Sequence, residues 1–173
     1  VYDGNIYDDI SFLYEKLALE KSPYAVVFFK ILMDEVNDKA KRVRLYDSLK
    51  NFFYLAFSEQ MIHGMFYQKD IYGLVLKCSE REEAVKQYLN ETCNKVIDMM
   101  DNFMELYVYV GISRIYENIG ELPDAYEEAE IAINCSGLEY EEKLLFFTED
   151  MKNQMHNVVN MDTKQQLIKE SIK

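Results

Sequence analysis

Three glutamates at positions 127, 128 and 130, a lone aspartate at 70, three cysteines and two histidines are the side chains of this 173-residue chain whose types invite chemistry. Clustered carboxylates can hold a divalent cation or move a proton. Glu127, Glu128 and Glu130, however, fall within a helical pattern, and they read as that helix's solvated face. Asp70 stands alone between two strand-like runs and reads as a turn former. Cys78, Cys93 and Cys135 are widely spaced and odd in number, no C-x-x-C occurs, and His63 and His156 lack companions at ligand spacing. A disulfide framework or a zinc site is therefore not expected, and the cysteines read as small core residues in a reducing cytoplasm. There is no P-loop, no G-x-G-x-x-G and no nucleophile elbow. The 14 tyrosines and 10 phenylalanines could line an effector pocket, but their helical and strand spacing is that of a core. No catalytic, cofactor-binding or metal-binding residue is assigned, and no cofactor is expected.

The elements that would position any site can be read in order. Ile6, Ile10, Leu13 and Leu17 recur at spacings of four, three and four, an amphipathic helix that ends before Ser22-Pro23. Residues 24–33, YAVVFFKILM, form a nearly continuous apolar run rich in β-branched and aromatic side chains, as a central strand requires. Val43, Tyr46, Leu49, Phe53 and Ala56 mark one face of a helix over residues 38–59. Met61–Gln68 and Ile71–Lys77 are strand-like and flank Lys69-Asp70, a hairpin of open turn type. Ser79 with Glu82 predicts a capping box at the start of the longest helix. Val85, Leu89, Val96, Met100 and Phe103 carry its buried stripe to about residue 106.

Residues 108–129, VYVGISRIYENIGELPDAYEEA, then read as strand, polar loop and helix in immediate succession. Val108 and Val110 alternate with Tyr109 and Gly111, and Gly111 leaves room for another element to approach closely. Pro123 suits a first helical turn, and Ala125, Ala129 and Ala132 give the helix a small-residue side able to pack on a sheet. Gly137 is a candidate glycine cap for its end. Beyond it the pattern weakens. Residues 144–147 predict a short edge strand, Met151, Met155 and Val158 a helix, and Asp162 the cap of another. The order β-α-β-β-α-β-α predicts an α+β fold, a ferredoxin-like βαββαβ two-layer sandwich with extra helices at both ends. The spacing of Tyr116, Gly120, Ala125 and Ala132 also fits one tetratricopeptide repeat, but the position about 34 residues earlier, Lys86, carries no matching pattern.

The G-I-S strand, the loop ending E-L-P and the helix beginning D-A-Y-E-E-A resemble the last strand and helix of a degenerate GGDEF-like domain. This version resembles the one between the input module and the DNA-binding domain of AraC-family bacterial transcription regulators, many of them YesN-like two-component response regulators. About 25 residues carry that likeness closely and about 110 more by element order. In the active nucleotide cyclases of this type, a carboxylate near the end of the first strand and others in the hairpin hold metal ions, and hairpin glycines admit the nucleotide. Here Lys30 aligns about where the metal-binding aspartate would stand, or Asp34 and Glu35 if the alignment slips. The hairpin reads Gln68-Lys69-Asp70-Ile71-Tyr72-Gly73, with no Gly-Gly and no paired acids. The arginine-based product-inhibition motif is also absent. A lysine facing a single carboxylate is a poor cation site, so a non-enzyme is expected.

Net charge is −12, unevenly placed: residues 80–150 hold 18 acidic and 5 basic side chains, a net of −13. Such a surface repels phosphate backbones, so the chain itself is not expected to bind nucleic acid. No apolar run reaches membrane-spanning length. The organisation expected is a connector helix over residues 1–22, the GGDEF-like α+β domain over 23–137, and a strand-and-helix extension over 138–173 leading toward a DNA-binding domain beyond this fragment. The resemblance implies a cytoplasmic homodimer that relays a signal from an upstream receiver or sensor module. The alternatives are a nucleotide- or small-molecule-binding domain, or residual cyclase, on the same fold, and a helical-repeat interaction scaffold.

Overall fold

The run YAVVFFKI forms a strand, β1 (Tyr24–Ile31), that is buried on both faces, which is why it carries almost no polar residue. The computed structural model describes residues 15–16, 22–33, 37–79, 81–136 and 141–155. After β1 come α1 (Lys39–Ala56), β2 (Met61–Gln68), β3 (Ile71–Lys77), α2 (Glu82–Met104), β4 (Val108–Ile112), α3 (Leu122–Cys135) and β5 (Leu144–Phe146). The strands form one sheet in the order β2-β3-β1-β4-β5. β1 is antiparallel to both β3 and β4, β2 is antiparallel to β3, and β5 runs parallel to β4. It follows that β1 and β2 are parallel with β3 between them, and that β3 and β4 are parallel with β1 between them. Two interleaved βαβ units of this kind define the ferredoxin-like sandwich, as the element order predicts.

Alternation along β1 sorts the core. Ala25, Val27, Phe29 and Ile31 face a cluster containing Leu49 and Phe53 of α1 and Val85, Leu89, Cys93, Val96 and Met100 of α2. Tyr24, Val26 and Phe28 face the opposite side, where Leu122, Ala125, Ala129 and Ile133 of α3 cover them. α3 is thus a third layer. Its closest approach is at Gly111, where an added Cβ would stand 2.5 Å from the Ile133 nitrogen and 2.6 Å from the Ala129 carbonyl oxygen. Only glycine fits. In the sheet, Phe28 pairs with Gly111 on one side and Gly73 on the other, so its ring spreads into space that side chains would otherwise fill. It meets Tyr67 at 5.0 Å and Tyr126 at 5.6 Å between ring centroids.

The hairpin turns at Lys69-Asp70, as expected. Glu105 is the only non-glycine residue with positive φ among those described, so neither turn residue adopts the mirror-image geometry of type I′ or II′ turns. A register shift between Phe66 and Gln68 absorbs the mismatch in twist. Asp38 caps α1 by accepting from the Ala40 N–H at 2.9 Å.

Several sequence expectations are corrected. Val43 is more than half exposed, because α1 buries the side bearing Leu49 and Phe53. The Ser79–Glu82 capping box is not formed: Arg81 is the N-cap of α2 without a side-chain bond, and Glu82 and Glu83 instead place charge in the first turn, where the helix dipole favours it. Phe103 is 82% exposed. The helix ends in a left-handed residue, Glu105, and the Leu106 N–H returns to the Met100 carbonyl at 3.1 Å, so Leu106 and Met104 close the core in place of Phe103. Tyr116 pairs with Tyr24 in a β-bridge instead of belonging to a helical repeat. β5 occupies the predicted edge position, and residues 149–155 are helical. Of the expected N-terminal helix, residues 15–16 are helical and Lys16 Nζ donates to the Ile62 carbonyl at 2.6 Å. Ile6, Ile10, Leu13, Leu17, Asp34, Glu35, Gly137, Val158 and Asp162 lie outside the described residues.

None of the three cysteines is in a disulfide, and all are buried. Burial pushes the Cys78 thiol up to about 12 and raises that of Cys93 further. At pH 8 the thiolate fraction of Cys78 is therefore about 10⁻⁴. The native chain should leave all three thiols unreacted with a colorimetric disulfide reagent, and denaturant should release all three; rapid native labelling would contradict this burial. Stability supplied by the neutral Cys78 thiol is full below its ordinary value of 9.0 and falls as pH rises from there toward about 12. Gly111→Ala should cost about 3 kcal/mol through the clash with α3 backbone, lowering the melting temperature by roughly 6–12 °C in a calorimetric scan. A melting temperature unchanged by Gly111→Ala would mean that α3 does not sit this close.

Candidate functional site

Two places gather polar side chains against ordered backbone. The first is a cleft of about 790 Å³ between the N-terminal half of α1 and the β2–β3 hairpin. Lys39, Arg42 and Lys50 line it from the helix, and Phe66, Tyr67 and Lys69 from the hairpin. Tyr46 ties the two walls together: its hydroxyl donates to the Lys69 carbonyl at 2.6 Å and its ring meets Phe66 edge-on at 4.6 Å. Burial raises the pKa of that hydroxyl, with Arg42 opposing the rise and Asp70 adding to it. Arg42 donates through Nη2 to the Met33 carbonyl at 3.4 Å, while its buried Nε has no hydrogen-bond partner. The cleft is thus an amphipathic hollow with positive walls, in a chain of net charge −12.

The structure sets the end of β1 beside the hairpin turn, so Lys30 and Asp70 are backbone neighbours. Lys30 is half-buried near the end of β1, paired in register with Ile71 and Tyr109, and by alternation shares the α3 side of the sheet with Phe28. It is not part of the cleft lining. Asp70 sits in the turn, where its backbone carbonyl accepts from the Ile31 N–H at 2.8 Å. Among the described residues, no three His, Cys, Asp or Glu side chains converge as a metal site would need.

The second place was missed in the sequence. Glu127 is exposed, but Glu128 is 5% exposed and is not part of a solvated face. Its carboxylate is held on every side. Oε2 accepts from the Arg114 backbone N–H at 3.0 Å, and Oε1 accepts from Arg114 Nε at 2.8 Å, from Arg114 Nη2, and from the Tyr116 hydroxyl at 2.6 Å. A buried charge is tolerable only when paired and hydrogen-bonded in this way. Burial and the bond to Glu128 push the Tyr116 hydroxyl up, so it remains a donor through the neutral range. Arg114 also reaches Glu149 at 3.1 Å and lies 5.2 Å from the centre of the Phe147 ring. One arginine therefore joins the loop after β4, the middle of α3 and the first residue of the helical segment 149–155. The signal was available: Ala125, Glu128 and Ala132 are three and four residues apart, which sets Glu128 on the packed side of α3.

No helix among the described residues is long and apolar enough to cross a membrane. No curated protein matches the chain. The family model for the GGDEF-like domain does, over residues 18–135, which takes in β1, the hairpin, both crossover helices, β4 and α3. The interleaved βαβ sheet with its added α3 layer and this match over more than half of its length agree, and the chain belongs to the GGDEF-like domain family.

Proposed function

We propose that this domain is a non-catalytic relay in a bacterial transcription regulator of the AraC type, in the manner of the YesN-like response regulators. It would act in the cytoplasm as a homodimer, passing a signal from an upstream receiver or sensor module to a downstream helix-turn-helix domain in the same protein. The observation that carries this reading is the double engagement of Arg114. It grips buried Glu128 on α3 and Glu149 at the start of the helical segment 149–155, so a shift of α3 against the sheet is felt where the chain leaves the domain. A relay needs such a stiff link between two ends of a body. The missing carboxylate at Lys30 and the glycine-free turn Lys69-Asp70 support the loss of nucleotide chemistry. Membership of the GGDEF-like domain family by itself suggests a part in signal transduction.

A second reading is favoured by one observation, the positively lined cleft of about 790 Å³ beside α1. On that reading the domain captures an anionic small molecule such as a nucleotide and passes its presence on. Calorimetric titration with GTP and with a cyclic dinucleotide, each with magnesium, separates the two. The relay reading expects neither heat nor turnover; saturable binding without turnover would favour the effector site, and turnover would overturn the non-enzymatic reading. The flanking sequence is a second test, expected to encode a receiver with a phosphorylatable aspartate upstream and two helix-turn-helix motifs downstream. Glu128→Ala should cost about 1–3 kcal/mol, since it strands the Tyr116 hydroxyl and the Arg114 backbone N–H. In the full-length regulator it should uncouple input from DNA binding, while Glu149→Ala should weaken the coupling and leave the melting temperature nearly unchanged. Normal signalling by both variants would remove Arg114 from the path.

A further inference from the structure

The outer surface of the α1/α2 layer carries apolar side chains and charge of both signs in a particular arrangement. At the end of α2, Phe103 is 82% exposed and Met99, one turn before it, 46%. Tyr107 follows at 57%, and its carbonyl accepts from the N–H of Leu32, itself 40% exposed, so the four side chains belong to one end of the molecule. Asp98, Asp101 and Glu105 surround them, with no basic residue between 98 and 105. Lys143 sits at the rim, 3.8 Å from Asp101 and 4.8 Å from the Tyr107 ring centre. α1 bears the opposite pattern. Lys41 and Arg44 are exposed on it, outside the cleft that Lys39, Arg42, Val43 and Lys50 line beside the hairpin, so they are the α1 cations this surface presents.

The topology puts these two patterns at the same level. α1 leaves the C-terminal end of β1, and α2 delivers the chain to the start of β4, which is antiparallel to β1. The basic start of α1 and the acidic, apolar end of α2 therefore lie at one end of the sheet, on the same face. A two-fold axis running along the helices, outside this layer, would set α1 of one copy over α2 of the other without changing their level. Lys41 and Arg44 of each α1 would then meet Asp98 and Glu105 of the partner's α2, Asp101 being paired with Lys143 of its own copy. Phe103 and Met99 would close on the aliphatic stems of Lys41 and Arg44. Two-fold interfaces require this kind of self-complementarity, each patch answering the other reciprocally.

We propose that the α1/α2 face is a homodimer interface, with Phe103 as its aromatic anchor at one end and the α1 cations paired with the acidic end of the partner's α2. The inference rests on the dimeric half of the proposed relay and names the surface that makes the dimer. An exposed aromatic flanked by charge is a usual anchor of an interface. The contact of opposite charges should make assembly weaken with added salt.

Sedimentation equilibrium of the chain tests it at about 100 µM protein, a concentration at which a micromolar interface is filled. The wild type should sediment at twice the monomer mass. Phe103→Asp should sediment as a monomer, and its circular dichroism and melting temperature should match the wild type, because this side chain lies outside the core. Two charge-reversed chains, one carrying Lys41→Glu with Arg44→Glu and the other Asp98→Lys with Glu105→Lys, should each be monomeric alone. Mixed together they should form a heterodimer, since reversed α1 then faces reversed α2 while the untouched pair remains complementary. A monomeric wild type would overturn the proposal together with the dimeric half of the relay. A dimer that survives Phe103→Asp, or a mixture that stays monomeric, would overturn this surface and leave the relay reading standing.

Discussion

The contact on which most of this structure depends is that of α3 backbone with β4 at Gly111. Helices usually rest on sheets through intervening side chains; here the Ala129 carbonyl and the Ile133 nitrogen would lie within 2.6 Å of a Cβ on the strand. Such closeness fixes composition over a wide area. On the helix it demands the small side chains at 125, 129 and 132. On the sheet it leaves Phe28 to fill the row between Gly73 and Gly111, and the Tyr67 and Tyr126 rings to pack around that phenylalanine. The reward is dispersion contact at high density across the second face of β1, which makes its all-apolar sequence necessary.

Close approach also has an electrostatic consequence. A helix lying so near the sheet carries the side chain one position before Ala129 into the protein, and that side chain is Glu128. An unpaired carboxylate at 5% exposure would cost several kcal/mol. The chain answers with its own loop. After β4, Ser113 stays bound to Val26, its N–H donating to the Val26 carbonyl and its hydroxyl accepting from the Val26 N–H, each at 2.9 Å. Tyr116 then bridges to Tyr24, so Arg114 and Tyr116 are held on either side of the carboxylate. The loop is therefore ordered by what it must neutralise, and its order is what gives Arg114 a fixed position from which to reach Glu149.

How much of this was legible in the sequence follows from which signals are local. β1, the hairpin and Gly111 were readable because apolar runs, turn residues and a missing side chain act through immediate neighbours. Close helix packing at Gly111 could be anticipated from the three alanines that follow it. The exposure of Phe103 is hidden because periodicity cannot tell where a stripe stops: Met100 plus three predicts burial, and only the left-handed turn at Glu105 shows that Leu106 returns to close the core. The burial of Glu128 is hidden for the complementary reason. Its neighbours Glu127 and Glu130 give a run of acids, and a run of acids reads as a wet face until a partner arginine 14 residues away in sequence is placed against one of them. The cleft beside α1 was illegible, since it is formed by a helix and a hairpin tip that only the folded sheet brings together.

The architecture itself asks for no carboxylate at the end of β1. The interleaved sheet, the glycine contact and the Glu128 network make no use of a metal at the end of β1, so a lysine at position 30 can be tolerated there without loss of packing. What the fold does supply is bonding between its layers near residues 147–149. β5 is parallel to β4 and extends the sheet toward residues 149–155, and the Phe147 N–H returns to the Ile112 carbonyl at 2.7 Å. Residues 147–149 are consequently bonded to β4 by backbone and to α3 through Arg114, whose guanidinium also lies over the Phe147 ring. These attachments, one to the sheet and one to the α3 layer, tie the position of that segment to the positions of both layers, and this is the mechanical property a relay would draw on.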